Sequence, residues 1–93
     1  MSEPAEPYRL IMARSAARAL STTLPEKVAT AVYEFVTGPL LDNPRRVGKP
    51  LDPPLAPAYS ARRGTYRVLY LINDTNRTVE VTAISHRSDA YRT

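Results

Sequence analysis

Two strand-like runs in the last third of the chain constrain the fold more than any other feature. Residues 65–72 (TYRVLYLI) and 78–85 (TVEVTAIS) are rich in the β-branched and aromatic side chains that favour strands. Turn-forming residues at 73–76 (NDTN) lie between them, so the pattern predicts an antiparallel hairpin. Alternation along the first run places Arg67 on one face. The opposite face carries large apolar side chains: Tyr66, Val68, Tyr70 and Ile72.

The first part of the chain has helical patterns instead. Residues 8–13 predict a short first strand, after which Ser15 is placed to cap a helix. Pro25 ends that helix and suits the first turn of a second one, which Gly38 and Pro39 end. The second helix has apolar residues at helical spacing, namely Val28, Val32, Phe35 and Val36. The short link between the helices predicts a helical hairpin.

Residues 39–58 separate the helices from the hairpin and contain six prolines in twenty residues. This density excludes a regular helix and predicts a rigid loop lying against the sheet. Residues 58–62 then form a strand, and Gly64 offers a turn. The resulting order, β-α-α-β-β-β, predicts an α+β fold with the helical hairpin on one face of a small, mainly antiparallel sheet. Its length predicts a single domain over residues 1–93, with residues 1–7 expected to be flexible.

The charge of the chain is basic and unevenly distributed. Thirteen Lys and Arg oppose nine Asp and Glu, and eleven of the thirteen are arginine. Between Arg45 and Tyr70 six cations are accompanied by a single acid, Asp52. Because the arginine fork suits bidentate phosphate contact, this span indicates a polyanion or an acidic protein partner. A solvated basic face would produce the same charge balance, so charge alone leaves both interpretations open.

Several classes of site are disfavoured by composition. The chain has no cysteine and one histidine, which excludes disulfides and argues against structural zinc. It has no carboxylate pair, no glycine-rich phosphate loop and no G-x-S-x-G motif. No metal or cofactor is therefore expected. The sequence has no apolar run of about 18 residues and no signal-peptide pattern at its start, so we expect a cytoplasmic protein with no membrane partner.

The candidate chemistry lies on and after the hairpin. Arg67 is a charge in the middle of an apolar strand, which suggests a working face, although an edge position reaching water would explain it when taken alone. With a loop at 73–77, residue 67 would neighbour residue 83 or so and lie a few residues from His86 and Arg87. Histidine is the side chain that ordinarily titrates near neutral pH, and a half-buried strand-end position is the alternative for His86. Tyr91 could fold back over the same face.

Three segments together resemble the RelE/ParE superfamily of toxins from type II toxin–antitoxin systems. They are residues 46–51 (RVGKPL), 64–70 (GTYRVLY) and 85–91 (SHRSDAY), within a likeness that covers residues 8–92. The ending is closer to the ribonuclease branch. The resemblance implies a metal-independent endoribonuclease toxin that cuts messenger RNA in the ribosomal A site through attack of a 2′-hydroxyl. It also implies a cognate antitoxin, the 70S ribosome and mRNA as partners, with operator DNA bound only through the antitoxin.

The resemblance also suggests roles for individual residues. Arg67 matches the family's central-strand arginine, Arg87 the arginine after the last strand, and Tyr91 a C-terminal tyrosine that acts as base in some members. Whether His86 or Tyr91 is the base stays open. The predicted RNA contacts are cations of the basic span: Arg62, Arg63, Lys49, Arg46 and Arg45. Ser60 departs from the family pattern, because some members have lysine there, and the glutamate of certain relatives has no counterpart.

Two other functions fit the same fold class. One is a ParE-like, non-enzymatic inhibitor of DNA gyrase, and the other is a basic nucleic-acid-binding module without activity. The group formed by His86, Arg87 and Tyr91 favours the nuclease, because a gyrase binder does not require it.

Overall fold

The computed structural model describes residues 7–86, over which helices and one five-stranded sheet form two layers. The strands are β1 (Arg9–Met12), β2 (Lys49–Pro50), β3 (Tyr59–Arg63), β4 (Tyr66–Asn73) and β5 (Thr78–His86). The helices are α1 (Arg14–Arg18), which continues into a π-helical segment (Ala19–Thr23), α2 (Glu26–Thr37) and α3 (Pro39–Asp42). None of these helices has the length and apolar character needed to cross a membrane.

The sheet has the order β1-β5-β4-β3-β2 and is antiparallel except where β1 runs parallel to β5. This arrangement confirms the predicted α+β class. Two small elements were not expected in the proline-rich segment, namely α3 and β2. Pro39 begins α3 because the first turn of a helix does not need the missing N–H. Pro50 is accommodated because β2 is an edge strand.

The core lies between the helices and one face of the sheet. Large side chains that are at most 5% exposed come from both layers: Val32, Phe35, Val36, Leu40, Val68, Tyr70, Val79 and Val81. Tyr66 is also buried, and Val28 and Ile72 pack against this core, so the predicted apolar positions of α2 and the predicted inner face of β4 are confirmed. The other face of the sheet carries the exposed side chains of Arg62 and Arg67.

Ser15 has a different role from the predicted helix cap. The residue at the cap position of α1 is Ala13, and no side-chain hydrogen bond caps the helix. Ser15 lies inside the first turn, where its hydroxyl donates to the carbonyl oxygen of Thr82 at 3.0 Å. This hydrogen bond ties α1 to β5.

The register of the hairpin differs from the prediction by two residues. Arg67 pairs with Ser85 and not with a residue near 83. One residue of the shift arises because the turn spans only residues 74–77. The other arises from a bulge opposite Leu69 and Tyr70, which leaves Thr82 as an extra residue in β5. The shift places Arg67 opposite Ser85, one residue before the end of β5.

Candidate functional site

An open groove of about 660 Å³ lies at the β2–β3–β4 side of the sheet. Its lining residues come from these strands and from the chain flanking β2: Arg46, Val47, Gly48, Lys49, Pro50, Leu51, Ser60, Arg62 and Arg67. Four of them are cations, and none of the lining residues in the described part of the chain is acidic. Four of the sequence-predicted site residues therefore share one groove. Such a surface attracts an anion.

The strand pairing places Arg62 directly opposite Arg67. Both side chains are exposed and lie on the face turned away from the core. Directly opposed residues on antiparallel strands have Cβ atoms about 4.5–5.5 Å apart, and like charges at such positions destabilise the pairing. An anion held between the two guanidinium groups would relieve this repulsion, and a phosphate offers enough oxygens for both.

The segment that carries Arg46 and runs into β2 at Lys49 is held against the sheet by Tyr70. The buried Tyr70 hydroxyl donates to the carbonyl oxygen of Pro44 at 2.5 Å, and the ring stacks on Tyr59 at a centroid distance of 5.7 Å. Burial raises the pKa of Tyr70 to about 12, so the hydroxyl stays protonated and keeps donating. The backbone then crosses close above the same hydroxyl at Gly48. A Cβ atom there would overlap the hydroxyl and lie 2.8 Å from the carbonyl oxygen of Ser60.

Replacing Gly48 with alanine is therefore expected to destabilise the protein by about 1–3 kcal/mol, the usual range for an overpacked site. Urea unfolding of the two proteins measures this difference. The matched test is the same change in a Tyr70→Phe background, where the clashing hydroxyl is absent and the cost of the added methyl group should shrink. A Gly48→Ala protein as stable as its parent would contradict the close approach.

Arg45 forms an ion pair at the other end of the hairpin and does not line the groove, and its role as an RNA contact stays a prediction. Its guanidinium donates to both carboxylate oxygens of Asp74, at 2.9 and 2.7 Å. The Tyr8 hydroxyl donates to the same carboxylate at 2.6 Å, and the Arg77 guanidinium lies 4.2 Å from the centre of the Tyr8 ring. We call Tyr8, Arg45 and Asp74 the clasp, because these residues join β1, the proline-rich segment and the β4–β5 turn.

The clasp makes stability depend on pH. The hydrogen bonds from Arg45 and then Tyr8 lower the pKa of Asp74 from 3.8 to about 2. Since the folded-state pKa is the lower one, the stabilisation is present above pH 3.8 and is lost as the pH falls toward 2. Asp74→Asn is expected to weaken the fall in thermal midpoint over this interval.

Arg45→Gln serves as the matched variant, because removing either partner should have the same effect. Both effects should diminish in high salt, since the two side chains are about half exposed. If both variants keep the parent's acid sensitivity, the ion pair does not contribute to it.

Two further predicted residues lie away from the groove. Arg63 pairs with Tyr66, on the helix-facing side, and its guanidinium lies 4.6 Å from the centre of the Phe35 ring. His86 also pairs with Tyr66, so the register puts it on the face opposite to Arg67. The structure therefore does not bring Arg63 or His86 into the groove. Arg87 and Tyr91 lie outside the described residues, and their position beside Arg67 stays a prediction.

The sequence interpretation missed the apolar side of the groove. Val47, Pro50 and Leu51 line it together with Ser60. The segment RVGKPL and the serine at position 60 were both noted for other reasons, but no local pattern indicated that they meet across β2 and β3. Between Pro7 and His86, no three His, Cys, Asp or Glu side chains gather to hold a metal ion.

Comparison with known proteins gives consistent matches. The family model described as the ParE toxin of the type II toxin–antitoxin system parDE matches residues 13–91. Two proteins of Mycobacterium tuberculosis are similar to this chain. Toxin RelE is 52% identical over 92% of this chain and 88% of its own length. Toxin RelG is 48% identical over 92% of this chain and 98% of its own length. The crystal structure of the toxin–antitoxin complex RelBE2 from the same organism matches with a TM-score of 0.85 and 46% identity, covering 88% of this chain and 100% of that one.

Proposed function

The chain belongs to the ParE toxin family of type II toxin–antitoxin systems, with RelE and RelG toxins among its relatives, and from this membership we propose that it is a RelE-like endoribonuclease. In this proposal it cleaves messenger RNA in the ribosomal A site and so inhibits translation. The observation that carries the proposal is the pairing of Arg62 with Arg67 in a groove whose lining includes no acid.

The proposed reaction is transfer of the phosphoryl group within one ribose. The 2′-oxygen forms a bond to the adjacent phosphorus, and the bond from phosphorus to the 5′-oxygen breaks. The 2′-hydroxyl proton passes to a base, and the leaving oxygen receives a proton from an acid. The products are a cyclic 2′,3′-phosphate and a free 5′-hydroxyl, so no water, metal or redox partner enters this step.

Arginines suit the part of the reaction in which negative charge grows on the phosphate oxygens. Arg62 and Arg67 lie opposite each other on paired strands, so both guanidinium groups can reach one phosphate and stabilise the charge that develops on it. Arg46 and Lys49 lie along the same groove, where they would contact neighbouring phosphates. In the proposal Arg87 adds a third guanidinium, and Tyr91 supplies the base.

The proposed partners follow from the same membership. The related RelBE2 protein was crystallised as a toxin–antitoxin complex, and we assign this chain a cognate antitoxin that neutralises it. The ribosome and its mRNA are the substrate complex, which places the activity in the cytoplasm. Operator DNA would be contacted only through the antitoxin.

The test is induction of the chain in bacteria with and without the neighbouring gene, coupled to primer extension on a reporter message. We expect growth arrest, cuts within translated codons, and rescue by the antitoxin. In a translating extract the purified protein should produce the same cuts. Growth arrest with intact messenger RNA would overturn the nuclease proposal.

A second candidate is a ParE-like inhibitor of DNA gyrase without enzymatic activity, which the description of the matching family model favours. It predicts that the purified protein blocks DNA supercoiling and leaves translated RNA uncut. The two assays, run on one preparation, separate the two functions.

A further inference from the structure

The groove lining is chemically mixed. Arg62 and Arg67 lie opposite each other on β3 and β4, and Arg46 and Lys49 add two cations around β2. The segment with these two cations also contributes Val47, Pro50 and Leu51, which we call the apolar wall. Val47 and Leu51 are half-buried, and Pro50 is exposed. A phosphate ion would contact only the cations of this lining, whereas a ligand that also has an apolar surface could cover the apolar wall as well.

A nucleotide has both parts. Its phosphate suits the paired arginines, and the flat face of its base can pack on apolar side chains while its edge forms hydrogen bonds. The groove volume of about 660 Å³ is far larger than a phosphate ion needs and lies within the usual range of sites for small organic ligands. Ser60, which lines the same groove, offers a hydroxyl that can both donate to and accept from a base edge.

We propose that the apolar wall is a base subsite that determines which sequences the protein cuts. This inference rests on the proposed nuclease function. The base next to the scissile phosphate packs against Val47, Pro50 and Leu51, while Arg62 and Arg67 hold the phosphate itself. Binding of the phosphate is independent of sequence, and the wall contributes the sequence preference.

The wall is held in place before any ligand binds. Lys49 and Pro50 pair with Ser60 and Tyr59 of β3, and the backbone N–H of Leu51 donates to the carbonyl oxygen of Ala58 at 2.9 Å. Gly48 fixes the depth of the loop through its close approach to Tyr70. A wall that needs no ordering on binding loses little conformational entropy, and its shape can therefore discriminate between bases.

An apolar side chain of the antitoxin is the competing occupant. The observations favour the nucleotide, because the apolar wall and the opposed arginines line one groove and a nucleotide can contact both at once. Binding of the antitoxin to Leu51→Ala is measured beside the cleavage pattern. Weakened antitoxin binding with unchanged cleavage sites would overturn the base subsite in favour of an antitoxin side chain.

The test compares Leu51→Ala with Leu55→Ala. Leu55 lies on the same proline-rich segment and is 57% exposed, but it does not line the groove. Each purified protein is added to a translating extract, and primer extension maps every cut on a long reporter message. For Leu51→Ala we expect the ratio of cutting at preferred over disfavoured sites to fall about fivefold or more, because the substitution removes apolar area that the face of one base would cover. Leu55→Ala should keep the parent pattern, because Leu55 does not line the groove.

The possible failures are distinguishable. If the parent cuts and Leu51→Ala gives an unchanged pattern, the base subsite is wrong while the nuclease function stands. If the parent cuts nothing, the proposed function fails and the subsite fails with it. A thermal melt checks that each variant is folded. Two milder variants alter the same wall: Pro50→Ala changes an exposed position, and Leu51→Met changes the shape of the wall at nearly the same volume. An unchanged cleavage pattern in both variants would also overturn the inference.

Discussion

Replacing Arg67 with alanine is expected to lower mRNA cleavage in a translating extract by about 10²–10³-fold, the usual cost of removing one preorganised donor from a developing oxyanion. Arg67 is the second residue of β4, not a mid-strand residue as the sequence predicted, and its exposed side chain lies opposite Arg62 of β3 in the groove lining. Its removal takes away charge where the phosphate would sit and leaves the core intact. Primer extension over time measures the rate.

Arg63→Ala is the matched control, because Arg63 is the neighbour of Arg62 in the sequence but lies on the helix-facing side over Phe35. Its cleavage rate should stay within a few-fold of the parent. Stability provides a second readout: Arg67→Ala should not be destabilised, and relief of the like-charge pair should raise its free energy of unfolding by about 0.2–1 kcal/mol. Normal cleavage by Arg67→Ala would remove the arginine pair from the site.

The outline of the fold was predictable because its signals are local. Alternation along 65–72, the turn at 73–76 and the helical spacing of Val32 and Val36 each depend on a few neighbouring residues. The errors occurred where a local signal competed with a distant partner. Ser15 looks like a helix cap in isolation, but its hydroxyl donates to Thr82 of β5. The bulge at Thr82 has no signature in the alternation of the strand.

The sequence predicted the positive charge of the candidate site better than it predicted which residues line the groove. The basic span identified Arg46, Lys49, Arg62 and Arg67, which share the groove. Alternation could have separated Arg63 from Arg62, and His86 from Arg67, because strand neighbours point to opposite faces. Arg45 could not have been assigned in this way. Its partner Asp74 is 29 residues away, and the Tyr8 that completes the clasp is 66 residues from Asp74.

Replacing Tyr91 with phenylalanine is expected to lower cleavage by about 10²–10⁴-fold, whereas His86→Gln should stay within a few-fold of the parent. The register puts His86 on the helix-facing side of the sheet with Tyr66. We therefore propose Tyr91 as the base, which the family resemblance matches to a C-terminal tyrosine that acts as base in some members. The measurement is the single-turnover rate of each variant on ribosome-bound mRNA.

The pH dependence of that rate separates the two bases independently of the substitutions. A base that accepts the 2′-hydroxyl proton makes the rate rise with pH until the base is fully deprotonated, and the rate then levels off. A tyrosine ordinarily titrates near pH 10, so with Tyr91 as the base the rate should keep rising above neutral pH. His86→Gln should keep this profile, and Tyr91→Phe should flatten it. A plateau above pH 7 that disappears in His86→Gln would instead require the histidine side chain to reach around the strand end to the phosphate.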